Sequence, residues 1–338
     1  MLYSTSSSKE ADTINVLSPP MDTVSDIGVV DKFIAVSSWD KSVRIYQITK
    51  TVTTSYLQKD SLKIEPFKLF NNAEVYDAPV VSVDISLNGF FVCGLTNGKI
   101  IIQDITDENK KQIFKDAHQG IVKTVKIIKN GNIVSCGLED GTIKMWSMSA
   151  CLGEVKTNSK IYAMDIYNEH LVAGLADKTI KYVNLNTNDM KVIRPDNLDH
   201  NIRSISVTVD SGYNAPPLVS VGDVVGKVMI VNIMSDKTEN NVKLHRIDKK
   251  CYATNKVGFV PDKTNIVVSG GSDGKFVIFN RNRRLNVYSN SFNSPISALR
   301  VTKDCIVFAT GYDWSKGYQS NVSPIEIKFI DSSKLKLE

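Results

Sequence analysis

Six times along the chain a pair of turn-forming residues opens a β-rich run that ends, six residues after the first, at a bulky or apolar position. The pairs and their end points are Asp40-Lys41 to Tyr46, Asn97-Gly98 to Gln103, Asp140-Gly141 to Trp146, Asp177-Lys178 to Val183, Val225-Gly226 to Val231, and Asp273-Gly274 to Phe279. Successive pairs lie 57, 43, 37, 48 and 48 residues apart. Self-similarity at such a spacing constrains the fold more than any local propensity does. A unit this short cannot bury its apolar face alone and must stack on a neighbour like itself.

The contents of the unit are also legible. Upstream of each turn lies a second β-rich run, such as Phe33–Val36, Phe90–Cys93, Asn132–Ser135 and Ile266–Ser269. Before that comes an alternating run, such as Val81–Ile85, Val122–Ile127, Ile161–Ile166 and Ile202–Val207. Period-2 alternation punctuated by Asp-Gly or Asn-Gly specifies antiparallel hairpins, and no segment carries a helical stripe. A seventh unit assembles from Pro295–Leu299, Ile306–Ala309 and Ile325–Phe329. Its outer strand is expected from the N-terminal end, at Thr13–Leu17, which would leave no open edge in the ring. The expected fold is therefore all-β: a seven-bladed WD-repeat β-propeller closed by an N-terminal strand in the last blade. It occupies residues 11–338 as one domain, preceded by a disordered Ser-rich tail over 1–10.

Composition supports a large core, with 42% hydrophobic and 23% charged residues in a chain of 338. No stretch approaches 18 consecutive apolar residues, so no membrane insertion is expected. The five cysteines are scattered without CxxC spacing, and the four histidines lack ligand spacing, so no metal and no cofactor is expected. An intracellular, reducing compartment fits that cysteine usage. Gly222 to Lys227 has one residue too few between its glycines for a phosphate loop, and no helix follows the Gly270–Gly274 run. Both read as blade turns. In the third unit His118, Asp140 and Trp146 stand where WD repeats place a buried hydrogen-bonded group, with Cys136 where serine is usual. His118 is thus expected to be a satisfied core histidine. No activated nucleophile accompanies it, and the chain is not expected to be an enzyme.

One pattern exceeds structural necessity. Lys41, Lys99, Lys178, Lys227 and Lys275 recur at the turns that open the third strand, and in a propeller these turns share one face. Either lysine is simply common in solvated turns, or a cationic rim focuses a field that favours an acidic segment. Arg203, at the head of its strand, would join that face. Trp39, an aromatic in a turn, would offer an exposed indole there. The net charge of +5 permits an acidic partner without demanding one.

Several stretches resemble the messenger-RNA export factor of the nuclear pore, a WD-repeat family akin to a spindle-checkpoint propeller. They are Leu17–Pro20 with Val24–Ile27, Ser38–Asp40, His118–Val125, Ile202–Ile205, His245-Arg246, Gly271–Phe276 and, most discriminating, Tyr312–Gly317. The resemblance implies a non-enzymatic scaffold in the nucleus, at the nuclear pore and envelope, with shuttling to the cytoplasm. Its partner would be a linear segment of an FG nucleoporin, with single-stranded RNA as a further ligand of the basic face. The alternative it leaves open is a checkpoint adaptor that binds kinetochore kinase segments. Arg203 matches the family arginine that pairs with an acidic side chain of the segment. Lys227 stands where the family has arginine and loses its bidentate fork. Trp39, His245, Arg246, Tyr252, Thr254 and Lys275 complete the expected docking face. The fourth and fifth units depart most from the WD pattern.

Overall fold

Each of the six tight turns joins the second and third strands of a four-stranded antiparallel sheet, as its backbone chemistry requires. These sheets, a seventh like them and a two-stranded hairpin, Arg246–Ile247 with Lys250–Cys251, make up a computed structural model that describes residues 13–51, 61–210, 215–320 and 322–335. The Ser-rich tail falls on residues outside the described ones. Numbered along the chain, blades one to seven begin with the strands Val24–Val30, Val80–Ile85, Val122–Ile127, Ile161–Tyr167, Ile202–Val209, Thr254–Val260 and Ile296–Val301. All seven first strands line a central channel of about 860 Å³. Among the described residues the only helical element is a 3-10 turn, Ser332–Lys334, and no helix is long and apolar enough to cross a membrane.

The ring closes as the sequence suggests. Ile14–Asn15 pairs antiparallel on the outside of Glu326–Asp331, with Ile14 opposite Phe329. The Val16 amide extends the ladder by donating to the Ile327 carbonyl at 2.8 Å. Blade seven thus takes strands from both ends of the sequence. The core is correspondingly segmented into seven apolar clusters, one between each pair of adjacent blades. The cluster between blades seven and one holds Val16, Tyr46, Ile64 and Phe329. Burial at blade interfaces, rather than within any blade, supplies the driving force for the ring.

Two recurrent details position the channel wall. First, every pairing of a first with a second strand shifts register at the same place, near the start of the first strand, and blade six shifts a second time, between Phe259 and Val260. The extra residues are Ser25, Val81, Lys123, Tyr162, Arg203, Asn255 and Ser297, and all seven line the channel. A bulge leaves its extra residue out of the ladder and re-aims it. Second, the residue on the second strand beside each bulge is small: Ser37, Gly94, Cys136, Gly174, Gly222, Gly270 and Ala309. The next blade's first strand presses against this row, and a Cβ on Gly270 would stand 2.4 Å from Ile296 Cγ2.

That row corrects one expectation. Cys136 belongs to it and does not replace a hydrogen-bonding serine. The serine is Ser135, one residue earlier and on the opposite face of the strand. Its Oγ meets His118 Nε2 at 2.7 Å and accepts from Trp146 Nε1 at 2.8 Å. His118 Nδ1 faces Asp140 at 3.0 Å. Burial, opposed by Asp140, depresses the basicity of His118. The histidine is a satisfied core residue, as expected.

Candidate docking face at the channel mouth

First strands begin, second strands end and third strands begin at one end of every blade. The turns singled out in the sequence therefore share that end with the seven bulges. Arg203, the bulge of blade five, is exposed, and its Nε donates to Asn255 Oδ1 at 3.3 Å. Asn255, the bulge of blade six, is buried, and its amide is fully committed. Its Nδ2 donates to Ile296 O at 3.2 Å and Asp313 Oδ2 at 2.9 Å. Ser272 Oγ donates to both Asn255 Oδ1 and Asp313 Oδ2. Burial works against the Asp313 carboxylate, but hydrogen bonds from Ser272, Asn255 and Ser315 outweigh it and hold its pKa below the ordinary value. An anionic Asp313 thereby ties the segment after Thr310 to Arg203 through one amide.

Aromatic side chains surround this network. Trp39 is 44% exposed and Trp314 64%, and both line the channel with Tyr312. Tyr312 and Trp314 stand with ring centroids 6.0 Å apart. Half-exposed aromatics beside an arginine are the composition of an interaction hot spot.

The other expected residues fare unevenly. Lys275 is half-buried at the start of its strand, with its amide donating to Asp273 Oδ1 at 3.1 Å. Tyr252 is half-buried and lines a smaller hollow beside Ile247 and Lys316. Arg246 is half-buried, and its Nε lacks a partner. His245 and Thr254, by contrast, are fully enclosed and present no surface to a partner. His245 Nδ1 meets Asp273 Oδ1 at 2.9 Å and Nε2 meets Ser269 Oγ at 3.0 Å, repeating the His118 arrangement in blade six. Thr254 Oγ1 donates to the Lys227 carbonyl at 3.2 Å. Both residues are corrected from docking contacts to supports of the mouth.

The cationic rim is also thinner than five. Lys41 and Lys178 occupy the second turn position with φ of 64° and 66°, where other blades have glycine. Lys99, Lys227 and Lys275 come one residue later, so the set is not a single ring of equivalent positions. Lys99 Nζ lies 2.5 Å from Asp77 Oδ2, and Lys227 Nζ lies 3.6 Å from Asp199 Oδ2. Those two charges are largely compensated.

Sequence reasoning missed Lys123 and Tyr162, which hold the bulges of blades three and four. The available signal was positional: each follows the first apolar residue of an alternating strand, as Arg203 does. Among the described residues no group of three or more His, Cys, Asp and Glu side chains comes together as a metal site. The five cysteines are free, with Cys93, Cys136 and Cys305 buried.

Comparison with known proteins agrees with this architecture. The WD domain, G-beta repeat, matches residues 109–147. The chain is 27% identical to the Poly(A)+ RNA export protein of Schizosaccharomyces pombe, over 94% of this chain and 89% of that protein. It is 28% identical to the mRNA export factor GLE2 of Chaetomium thermophilum, over 95% and 92%. A more distant relative is the mitotic checkpoint protein BUB3.1 of Arabidopsis thaliana, 24% identical over 92% and 93%.

Proposed function

We propose that this WD40-repeat propeller, similar along most of its length to messenger-RNA export factors, is a non-catalytic adaptor in messenger-RNA export. Its channel mouth docks a short acidic and apolar segment of an FG nucleoporin, which holds it at the nuclear pore. The similarity to proteins named as export factors supports the process. The observation that carries the docking site is the fixed, exposed Arg203 beside Trp39, Tyr312 and Trp314. Arg203 is oriented by Asn255 before any ligand arrives, so little of its freedom is lost on binding. Apolar anchors would supply most of the affinity, and the arginine would set specificity and encounter rate.

Lys275 and Tyr252 flank the same end and are assigned to its rim, with Lys227 and Arg246 as secondary contacts. Single-stranded RNA is not part of the proposal. With two rim lysines compensated by Asp77 and Asp199 and a net charge of only +5, the electrostatic footprint is weak.

Titration of a synthetic acidic nucleoporin segment into wild type and Arg203→Glu tests the reading. Affinity is expected to fall at least tenfold, with unchanged circular dichroism. Equal affinities reject the site. The weaker similarity to BUB3.1 makes a checkpoint kinase segment the competing occupant. Its recovery in place of a nucleoporin, in affinity purification from native cells, would replace the export reading.

A further inference from the structure

The wall of the central channel is divided electrically. On one side two carboxylates, Asp26 and Asp84, are each engaged twice. Asp26 lies 3.7 Å from Lys256 and accepts from the Val83 amide at 3.3 Å. Asp84 lies 3.7 Å from Arg300 and accepts from the Ile127 amide at 2.9 Å. These pairs lock blades six and seven to one and two. The opposite arc, on blades three to five, holds Lys123, Lys126 and Arg203. Among the described residues Lys123 and Lys126 have no hydrogen bond or ion pair, although Lys126 is only 9% exposed. Arg203 uses only its Nε, towards Asn255. Asp165, the carboxylate of this arc, accepts from the Val207 amide at 3.0 Å and forms no ion pair among the described residues. Tyr162 stands between Lys123 and Arg203 on blade four, and its hydroxyl has no partner among the described residues.

We propose that the bulge residues Lys123, Tyr162 and Arg203 form a binding site for one dianionic phosphoryl group. The chemistry follows from the donors. The terminal nitrogens of Arg203 present a planar fork to two oxygens. The Lys123 ammonium and the Tyr162 hydroxyl supply two further donors. Two cations in a half-enclosed cavity repel each other, and one dianion cancels both, whereas a carboxylate leaves one uncompensated. The channel exceeds the volume of a phosphate and leaves room for whatever carries it.

The charge on Lys123 records its lack of a counter-ion. Burial, then Lys256 and Arg203, pull its pKa down to about 8, against weaker support from Cys136 and Asp26. Binding a dianion returns Lys123 towards the ordinary lysine value, so at pH 8.5 binding takes up roughly three quarters of a proton.

Sulfate, a dianion throughout the range, is the probe, titrated calorimetrically in buffers of different ionisation enthalpy. Wild type is expected to bind sulfate at least tenfold more tightly than acetate, with that proton uptake. Lys123→Arg should keep the affinity within about threefold and take up no proton, and Lys123→Met should lose at least tenfold. Inorganic phosphate and phenyl phosphate then distinguish the source. Equal affinities point to free phosphate, and tighter phenyl phosphate to a phosphoryl group carried by a larger ligand. Acetate binding as well as sulfate, absence of proton uptake, or Lys123→Met binding like wild type overturns the proposal. The site shares Arg203 with the docking face but is tested through Lys123. A segment that still docks while sulfate does not bind sinks this inference alone.

Discussion

Gly174→Ala tests the blade-to-blade contact on which the placement of Arg203 depends. An added Cβ would lie 2.7 Å from Cγ2 and 3.1 Å from Cδ1 of Ile202. Ordinary carbon contacts fall at about 3.5–4.0 Å, so Ile202 must retreat by roughly 1 Å. Ile202 is buried and immediately precedes Arg203, and it opens the strand whose register shifts there. Overpacking of this kind costs about 1–3 kcal/mol, offset by up to ~1 kcal/mol because alanine restricts the unfolded chain more than glycine. The net loss is about 1–2 kcal/mol, which in a chain of this length lowers the midpoint of thermal unfolding by roughly 1–3 °C. Gly153→Ala is the control. It lies on an exposed outer strand with nothing within 4 Å of the new Cβ, and its midpoint should stay level or rise slightly. Differential scanning fluorimetry of both variants decides the matter. Should Gly174→Ala melt at or above wild type, the pressed blade interface does not exist as described.

Two further outcomes follow from buried groups. His245→Ala strands the Asp273 carboxylate, which like the histidine side chain is fully buried. It should cost on the order of 3 kcal/mol, and a loss below about 1 kcal/mol in thermal unfolding would return His245 to the surface role first expected of it. Lys123 gives a pH signature. Its folded pKa, near 8, lies below the ordinary 10.5, so between these values the unfolded chain holds more protons. Its contribution to stability therefore rises with pH across that window, by at most about 1.4 kcal/mol per pH unit. Buried Cys93, Cys136 and Cys305 oppose this, because burial raises their pKa values. The relevant quantity is thus the difference between wild type and Lys123→Met. A difference that stays flat from pH 8 to 10 would show Lys123 to be in contact with water or a counter-ion.

The sequence by itself determined the blade. Asp-Gly and Asn-Gly turns and period-2 alternation are properties of neighbouring residues, and hairpins follow from them without reference to the rest of the chain. The count of seven was also legible, because a ring must close and the stretch Thr13–Leu17 was the strand available to close it. His118 could be assigned to the core because Asp140 and Trp146 follow it within one repeat.

Only the tertiary structure decided which charges are free and which histidine is buried. His245 looked like a surface residue because a short hairpin, Arg246–Ile247 with Lys250–Cys251, pushes its partners Ser269 and Asp273 to 24 and 28 residues away, against 17 and 22 for Ser135 and Asp140 from His118. Cys136 and Ser135 exchanged roles because a one-residue shift turns a strand side chain to the other face. Lys99 and Lys227 lost their place in a cationic rim to Asp77 and Asp199, which come from connections between blades. Lys123 and Tyr162 became visible only once the register shift was known, since a bulge is a property of two paired strands and not of either one. Periodicity is a local quantity and survives in the sequence. The electrostatics of the channel mouth arise from side chains tens of residues apart, and they exist only when the ring is closed.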